Sequence, residues 1–403
     1  MAHTHRNQIV AAFGGAAMLA YSEKDVLPHG LPLFHVAGTI VCGLSVLMAG
    51  GRILILSPGG FRNPLMMQKL WKISARYGAT ISGGIPTVMA ALLNVPVDGA
   101  DLSAARCAIS GGAAAPKSVV VQFENKTGIR LHEMFGMTEC GGLAAMTPSA
   151  AERVIGSVGF RLPYTRTVVR KTLPDGSLGA ECAPHEIGIL TISGPTVSPG
   201  YRDGRDNGDS IRGGVLNSGD LAYTDEAGRI YIAGRTKDLI IRSGHNIDPH
   251  MIEEVVQQHP AVSSVAAVGE PDRYAGELPV CYVALKPGAS ATVDELRSFA
   301  EPLIGERPAW PKRYYIVDAV PVTAVGKIFK PELRVDAVRR FVCRVVAEVV
   351  ASSEAEVTVT AGGKRGMNVR VVIADSSLDV RRKIEQALDG YSFDYVVTCS
   401  ERE

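Results

Sequence analysis

Residues 130–139 read Arg-Leu-His-Glu-Met-Phe-Gly-Met-Thr-Glu, and this stretch decides the predicted fold. Its first six residues predict a strand, and the Gly-x-Thr-Glu part predicts a polar loop directly after it. A second strand is predicted one helix earlier, over residues 105–110, and it also runs into a glycine pair. Strand–helix–strand repetition favours a largely parallel sheet, in which the carboxyl ends of neighbouring strands meet at one edge. The sequence therefore predicts an α/β fold with a site built from these two loops.

The first 155 residues continue this alternation of short apolar runs and helical patterns. Further strands are predicted over 53–56 and 79–82, and helices over Pro64–Tyr77, over 86–93 and from Pro116. Prolines near the predicted helix starts and glycines at the predicted strand ends fit these element boundaries. Residues 9–20 predict a buried helix rather than a signal peptide, because a Gly-Gly pair interrupts the run and no small-x-small cleavage site follows.

The pattern changes around residue 156 to short runs separated by turns, which predicts an antiparallel β subdomain over 156–233. A smaller α+β domain is predicted over 234–334, and an α/β tail of no assigned chemistry over 335–403. The predicted strands are 158–160, 167–170, 187–192, 229–232, 264–269, 280–285, 313–317, 369–374 and 395–399. The predicted helices are 249–258, 293–303 and 378–388.

Composition excludes several classes of function. The chain has 403 residues, a formal net charge of +1 and 21% charged residues, so no global field favours nucleic acid or an anionic membrane. Seven cysteines without a C-x-x-C pattern argue against a zinc ribbon and a disulfide framework, and predict a reducing, cytoplasmic location. No stretch approaches the roughly 20 apolar residues of a membrane span. Neither G-x-G-x-x-G nor G-x-x-x-x-G-K-[ST] occurs.

Three short blocks carry residue types suited to a nucleotide. In the first, Phe135 offers an aromatic face to a purine, Thr138 a hydroxyl to a phosphate, and Glu139 a carboxylate to Mg²⁺. In the second, Asp220 follows a Ser-Gly pair on a predicted tight turn and can accept hydrogen bonds from two ribose hydroxyls. In the third, Lys327 follows a glycine and can bring a mobile positive charge to a carboxylate or phosphate.

These blocks, in this order, resemble those of the adenylate-forming acyl-CoA synthetase superfamily, over roughly residues 1–334. The resemblance implies that Phe135 stacks on adenine, that Thr138 hydrogen-bonds the α-phosphate and that Glu139 helps to hold Mg²⁺. It implies that Lys327 bridges the substrate carboxylate and the α-phosphate. The further nucleotide contacts that it implies are Gly111, Gly112, Ala113, Gly136, Asp220 and Arg235.

The resemblance also implies a mobile C-terminal domain. Lys237 corresponds to the hinge residue of the family, and Gly244 to the loop that borders the pantetheine of coenzyme A. His35, in a Pro-Leu-Phe-His block, is expected to border the acyl pocket. The sequence departs from the family pattern at Met251, where a glutamate is common, and at Lys330, where an arginine is usual.

The activity implied is that of an AMP-forming acyl-CoA synthetase, in which a small carboxylic acid, most readily a fatty acid, reacts with ATP and coenzyme A through an acyl-adenylate. Two alternatives remain open: a truncated, non-catalytic remnant that binds AMP or acyl-AMP, and an adenylation domain that loads a carrier protein. The family's Ser/Thr/Gly-rich phosphate loop ending in Pro-Lys does not occur in the sequence. We therefore expect weak ligase activity from this chain alone, and a missing N-terminal segment or a homo-oligomer that completes it.

Overall fold

The computed structural model describes residues 1–173, 175–202, 210–351, 354–363, 365–374 and 377–400. The chain divides into two compact units. Unit 1 comprises Met1–Thr236 and Ala324–Lys327, and unit 2 comprises Lys237–Thr323 and Ile328–Glu403. The α/β class predicted from the sequence is confirmed. The division at residues 155, 233 and 334 stays a prediction.

The first part of unit 1 contains strands that include those predicted over 53–56, 79–82, 105–110 and 130–135. They are β1 (Val26–His29), β2 (Arg52–Ile55), β3 (Ile81–Gly84), β4 (Cys107–Gly111), β5 (Leu131–Phe135), β6 (Ala145–Met146) and β7 (Phe160–Arg161). β1 and β2 pair in parallel, and the other five form a sheet in the order β3-β4-β5-β6-β7. The first three strands of that sheet are parallel, and β6 and β7 are antiparallel additions. The predicted strand over 158–160 overlaps the observed strand β7 only at Phe160. β7 belongs to this sheet.

The helices of unit 1 cover the parallel strands. They are α1 (His5–Met18), α2 (Ser45–Met48), α3 (Pro64–Tyr77), α4 (Pro86–Leu92) and α5 (Lys117–Thr127), and a π-helix, Ala37–Leu44, leads directly into α2. α3 coincides with its prediction because its signals are strong. The Asn63 side chain accepts from the Leu65 N–H at 3.0 Å, Pro64 occupies the first turn, and Gly78 ends the helix at φ +60°.

One core cluster of unit 1 fixes the position of β5. Trp71, Met89, Phe123 and Leu131 come from α3, α4, α5 and β5 and are fully buried together. Burying such side chains contributes roughly 1.5–3 kcal/mol each. The loops that follow β4 and β5 are therefore held on a rigid support.

The second part of unit 1 is an antiparallel sheet. Its strands are β8 (Arg166–Thr172), β9 (Leu178–Glu181), β10 (Gly188–Ser193), β11 (Ile211–Arg212), β12 (Val215–Thr224) and β13 (Ile230–Arg235). They are ordered β11-β12-β10-β8-β9, with β13 also paired to β12. The prediction of a tight turn at Asp220 is wrong, because this residue lies inside the ten-residue strand β12. Gly219, at φ +71°, marks an irregularity within the strand, which pairing on both sides keeps extended.

Unit 2 begins with a mixed sheet and ends with a smaller one. Its first strands are β14 (Ile240–Arg242), β15 (His245–Ile247), β16 (Val262–Asp272), β17 (Gly276–Leu285) and β18 (Arg313–Val317), with helices α6 (Pro249–Val256) and α7 (Val293–Ala300). They are ordered β15-β14-β17-β16, and β18 lies parallel to β17. The predicted strand over 313–317 coincides with β18, and the predicted helix over 293–303 ends earlier, at Ala300.

A long helix that was not predicted, α8 (Lys330–Ala347), leads into the tail. It packs against β16 and against the first strand of a sheet formed by β19 (Ala355–Ala361), β20 (Met367–Ile373) and β21 (Asp394–Cys399), with α9 (Leu378–Leu388) before β21. This sheet has the order β19-β20-β21. α8 thus runs straight through the residue at which the sequence predicted a domain boundary. In the described part of the chain, the helices are too short or too polar to span a lipid bilayer.

Candidate active site

A cavity of about 260 Å³ opens in unit 1 at the carboxyl ends of β4 and β5. Many of the predicted site residues line it, namely His35, Gly111, Gly112, Gly136, Thr138, Glu139, Arg235 and Lys327. The loops after β4 and β5 therefore meet at one edge of the sheet, as expected for parallel strands.

The loop after β5 is shaped by a close backbone approach. A Cβ atom on Gly136 would lie 2.2 Å from the carbonyl oxygen of Gly142, so only glycine fits at this position. Thr138 and Glu139 stand on the short 3₁₀ turn that follows. The tight loop thus presents a hydroxyl and a carboxylate to the cavity from neighbouring positions.

The Glu139 carboxylate has a partner that sequence reasoning missed. The Tyr201 hydroxyl donates to Glu139 Oε1 at 2.5 Å, and the Ser198 N–H donates to the Glu139 carbonyl at 2.8 Å. Tyr201 lies 62 residues further along the chain, in a segment for which we predicted no role. The contact orients one carboxylate oxygen.

Asp220 and Arg235 form a cross-strand pair. They are direct partners in the register of β12 and β13, and Arg235 Nε donates to Asp220 Oδ1 at 2.9 Å. Asp220 is only 2% exposed, whereas the Arg235 side chain is 57% exposed and lines the cavity. The two residues thus lie next to each other, and their roles at the ribose of a nucleotide stay predictions.

Lys327 reaches the same cavity on a short segment of unit 1. The Thr87 hydroxyl donates to the Gly326 carbonyl at 2.9 Å, which anchors this segment. A Cβ atom on Gly112 would lie 2.7 Å from Lys327 Cε, so the lysine side chain lies directly over the Gly112 backbone. Burial lowers the pKa of Lys327 and Arg235 lowers it further, while Asp220 and Glu139 raise it by less.

His35 borders the cavity close to this lysine. Burial lowers the pKa of its imidazole, and the neighbouring charge of Lys327 lowers it further. The ring is therefore uncharged at neutral pH. Its Nδ1 atom accepts from the Ala37 N–H at 3.2 Å, so the other ring nitrogen carries the proton.

Phe135 and Ala113 are further predicted site residues of unit 1, and Gly244 and Lys237 belong to unit 2. Phe135 is half-buried and packs against two hydrophobic clusters that include Ala145 and Ile192. Ala113 is exposed beside Gly112. Gly244 occupies a hairpin turn of unit 2 at φ +79°. Lys237 is the first residue of unit 2, and the roles of all four stay predictions.

Lys330, which stands where the family usually has an arginine, forms an ion pair within unit 2. Lys330 Nζ lies 2.7 Å from Glu253 Oε1, and both side chains are 15% exposed. The same oxygen accepts from the Ala267 N–H at 2.8 Å. Lys330 thus forms a largely buried ion pair with Glu253. The compact ammonium group of a lysine is sufficient for this pair, and the forked guanidinium of an arginine is not required.

The wall of this cavity carries one protein carboxylate that could bind a magnesium ion. Glu139 lines it, and the described residues include no group of three or more His, Cys, Asp or Glu side chains that could hold a metal. Mg²⁺ is commonly bound by one or two carboxylates together with substrate phosphates and water. The residues present therefore fit a magnesium ion that arrives with a nucleotide.

The α/β fold groups Thr138, Glu139 and Lys327 in one cavity, which is the arrangement that the resemblance to adenylate-forming enzymes implies. The AMP-binding enzyme family matches residues 1–202, and the AMP-binding enzyme C-terminal domain matches residues 251–327. The chain belongs to this family, the AMP-binding adenylate-forming acyl-CoA ligase superfamily.

Individual relatives point to acyl-CoA ligases. The chain is 35% identical to marinolic acid–CoA ligase of Pseudoalteromonas sp. (strain SANK 73390), over 98% of this chain and 62% of that protein. It is 34% identical to long-chain-fatty-acid–CoA ligase of Bacillus subtilis (strain 168), over 82% of this chain and 58% of that protein. Among solved structures, ATP-bound MatB from Rhodopseudomonas palustris is 29% identical with a TM-score of 0.74, over 82% of this chain and 64% of that one. The chain thus spans less than two thirds of the length of these relatives.

Proposed function

We propose that this protein acts as an AMP-forming acyl-CoA synthetase. Such an enzyme converts a fatty acid, ATP and coenzyme A into acyl-CoA, AMP and pyrophosphate. The observation that carries the proposal is the convergence of Thr138, Glu139 and Lys327 on one cavity at the carboxyl ends of β4 and β5. Two sequence blocks that lie far apart in the chain thereby supply a hydroxyl and a carboxylate, from Thr138 and Glu139, and an ammonium group, from Lys327, to one small volume.

The first half-reaction forms the acyl-adenylate. A carboxylate oxygen forms a bond to the α-phosphorus, the bond from that phosphorus to the oxygen bridging the β-phosphate breaks, and pyrophosphate leaves. Negative charge gathers on the α-phosphate oxygens in the transition state, where the Lys327 ammonium and the Thr138 hydroxyl stabilise it. These groups act by charge and hydrogen bonding, and neither has to give up its proton.

Glu139 is the residue that would hold Mg²⁺ at this site. The ion, when bound, would neutralise phosphate charge. The hydrogen bond from Tyr201 to Glu139 Oε1 leaves Oε2 as the oxygen suited to that role.

The second half-reaction transfers the acyl group to coenzyme A. The thiol loses its proton to solvent, its sulfur forms a bond to the acyl carbon, and AMP leaves with the oxygen that joined it to that carbon. Gly244 and Lys237, both in unit 2, remain our candidates for the pantetheine loop and the hinge. The change of compact unit between Thr236 and Lys237 supports the choice of Lys237.

The fatty-acid class is supported by the apolar part of the cavity. Its wall there consists of Leu31, Pro32, Val36, Ala37, Val41, Cys42, Ile85, Ile109, Met134 and Met137. The charged and titratable groups on the lining, by contrast, are His35, Glu139, Arg235 and Lys327. A chain of methylene groups gains about 0.8 kcal/mol per buried CH₂ in such surroundings. The names of the two relatives, a long-chain-fatty-acid ligase and a marinolic acid ligase, agree with a carboxylic acid substrate.

Titration calorimetry tests the proposal on the protein itself. A non-hydrolysable acyl-adenylate analogue, such as dodecanoyl sulfamoyl adenosine, should bind more tightly than AMP, because it fills both the nucleotide and the apolar parts of the cavity. If AMP binds and the acyl extension adds no affinity, the chain is a nucleotide-binding remnant and the synthetase proposal fails. Acyl transfer to a carrier protein instead of coenzyme A would select the adenylation-domain alternative.

A further inference from the structure

One wall of the cavity is formed by a π-helix, which is an uncommon element. Val36, Ala37, Val41 and Cys42 line the cavity, and residues 37–44 are π-helical. A π-helix closes each turn with an i→i+5 bond, so residues five apart lie on one face. An α-helix would separate them by about 140°. The π register therefore brings Val36 and Val41, and Ala37 and Cys42, closer to one face than an α-helix would.

A buried histidine holds the carbonyl on which this register depends. His29, on β1, is 2% exposed, and its Nε2–H donates to the Gly38 carbonyl at 2.8 Å. A Cβ atom on Gly43 would lie 2.9 Å from the same oxygen. At the other end, the Ser45 N–H and hydroxyl both donate to the Ile40 carbonyl. Residues outside the cavity thus determine which side chains form its wall.

The wall that results is small and uncharged. Burial raises the pKa of the Cys42 thiol to about 12, so this group stays neutral and packs as a small apolar side chain. On its other side, the π-helix packs through Ile40 against Ala11 and Ala12 of α1. Small buried residues thus support the wall from behind.

We propose that His29 is a positioning residue for acyl-chain selectivity: by holding Gly38 it keeps residues 37–44 in the π register and sets the depth of the apolar part of the cavity. This inference rests on the proposed function, because it assumes that the apolar part of the cavity receives the acyl group. His29 itself does not contact the ligand. It acts through the positions of Val41 and Cys42.

The test compares His29→Leu, which removes the donor, with His29→Gln, whose amide can donate from nearly the same position. Titration calorimetry gives the Kd of AMP and of butanoyl, octanoyl, dodecanoyl and hexadecanoyl sulfamoyl adenosine. Gly43→Ala is a second route to the same change, because its Cβ would crowd the Gly38 carbonyl. His132→Gln is the matched control: His132 is 4% exposed, and its Nδ1 lies 3.3 Å from the Thr147 carbonyl, away from the cavity lining.

We expect His29→Leu and Gly43→Ala to change the ratio of the hexadecanoyl to the butanoyl Kd by about tenfold, while the AMP Kd changes by less than about twofold. His29→Gln should restore the wild-type ratio, and His132→Gln should leave it unchanged. A His29→Leu protein that binds AMP and keeps the wild-type ratio overturns the inference. If His29→Leu does not fold, an unchanged ratio in Gly43→Ala overturns it. A wild-type protein that gains no affinity from any acyl group overturns the proposed function first, and this inference with it.

Discussion

Lys327 is the residue whose charge the proposed chemistry needs most directly. Its ammonium group lies over the Gly112 backbone, within electrostatic reach of Arg235, Asp220 and Glu139. Burial and the positive charge of Arg235 together lower its pKa below the ordinary lysine value. Lys327 thus loses its proton more readily than an ordinary lysine, and a bound anion would oppose that loss.

The first prediction is a pH dependence of AMP binding. AMP binds better to the protonated lysine, so its affinity should fall as pH rises through the lowered pKa of Lys327, by at most about tenfold per pH unit. Above about pH 7 the AMP phosphate is fully ionised, so it does not contribute to the slope. Lys327→Met should bind AMP more weakly and flatten the profile, whereas Lys330→Met should keep the wild-type slope. Calorimetry between about pH 7 and pH 10 checks this, and an unchanged slope in Lys327→Met would contradict it.

The second prediction concerns the ribose site. Asp220→Asn removes a charge-assisted acceptor that is buried beside Arg235. The loss should weaken AMP binding by about 1.5–3 kcal/mol, which raises the Kd by about tenfold to a hundredfold.

The control for Asp220→Asn is Asp225→Asn, in the turn between β12 and β13. Asp225 is also buried and accepts from Arg229 Nε at 2.7 Å. Its substitution should lower the Tm and leave AMP affinity unchanged. Equal losses of affinity in the two variants would mean that Asp220 serves the sheet and not the nucleotide.

At the scale of elements, the loop after β5 depends on one glycine. Gly136 faces the Gly142 carbonyl so closely that any side chain must displace the backbone that carries Thr138 and Glu139. The strand before the loop is fixed by the core cluster around Leu131, so the strain has to fall on the loop.

The third prediction follows from this geometry. Gly136→Ala should destabilise unit 1 by about 1–3 kcal/mol and raise the AMP Kd by about tenfold or more. Gly305→Ala is the control, because no atom lies within 4 Å of a Cβ built there. Urea unfolding and calorimetry on both variants check the prediction. An unchanged AMP Kd in Gly136→Ala would show that the loop accommodates the added side chain without loss of affinity, and would contradict the prediction.

At the scale of the whole molecule, the tail belongs to unit 2 through α8 and a buried charge network. Glu270 is 1% exposed and accepts from Arg313 at 2.5 Å and from the Tyr315 hydroxyl at 2.8 Å, and its Oε2 forms an ion pair with Arg344 Nη2 at 2.7 Å. Arg344 lies on α8, beyond residue 334, and its guanidinium also donates to the Tyr315 hydroxyl at 3.0 Å. A group in the tail thus helps to satisfy a carboxylate buried in the preceding sheet.

The fourth prediction is that Arg344→Met destabilises unit 2 by about 1.5–3 kcal/mol, because Glu270 loses one of its charged donors. Arg339→Met is the matched control on the same helix, since Arg339 is 46% exposed and pairs only with Asp336 among the described contacts. Its loss should cost less than about 1 kcal/mol. Denaturant unfolding of both variants checks this, and equal costs would rule out a structural role for the Glu270 network.

The sequence by itself determined the α/β class, several elements and the family. Pro64–Tyr77, Arg313–Val317 and Leu378–Leu388 coincide with their predictions, because their capping residues and apolar periodicities are local signals. The blocks around Thr138, Asp220 and Lys327 identified the family because each keeps its residue types in a fixed order. Such patterns can be read without knowledge of the fold.

Tertiary structure alone decided the features that depend on distant partners. Asp220 lies in a strand because β10 and β13 flank it, which overrides the turn preference of its Ser-Gly neighbours. Tyr201 reaches Glu139 across 62 residues, and His29 of β1 donates to the Gly38 carbonyl of the π-helix. α8 passes the predicted boundary because its buried face is shared by two sheets. In each case the deciding contact joins residues far apart in the chain. The local sequence propensities do not depend on such contacts, so they could not predict these features.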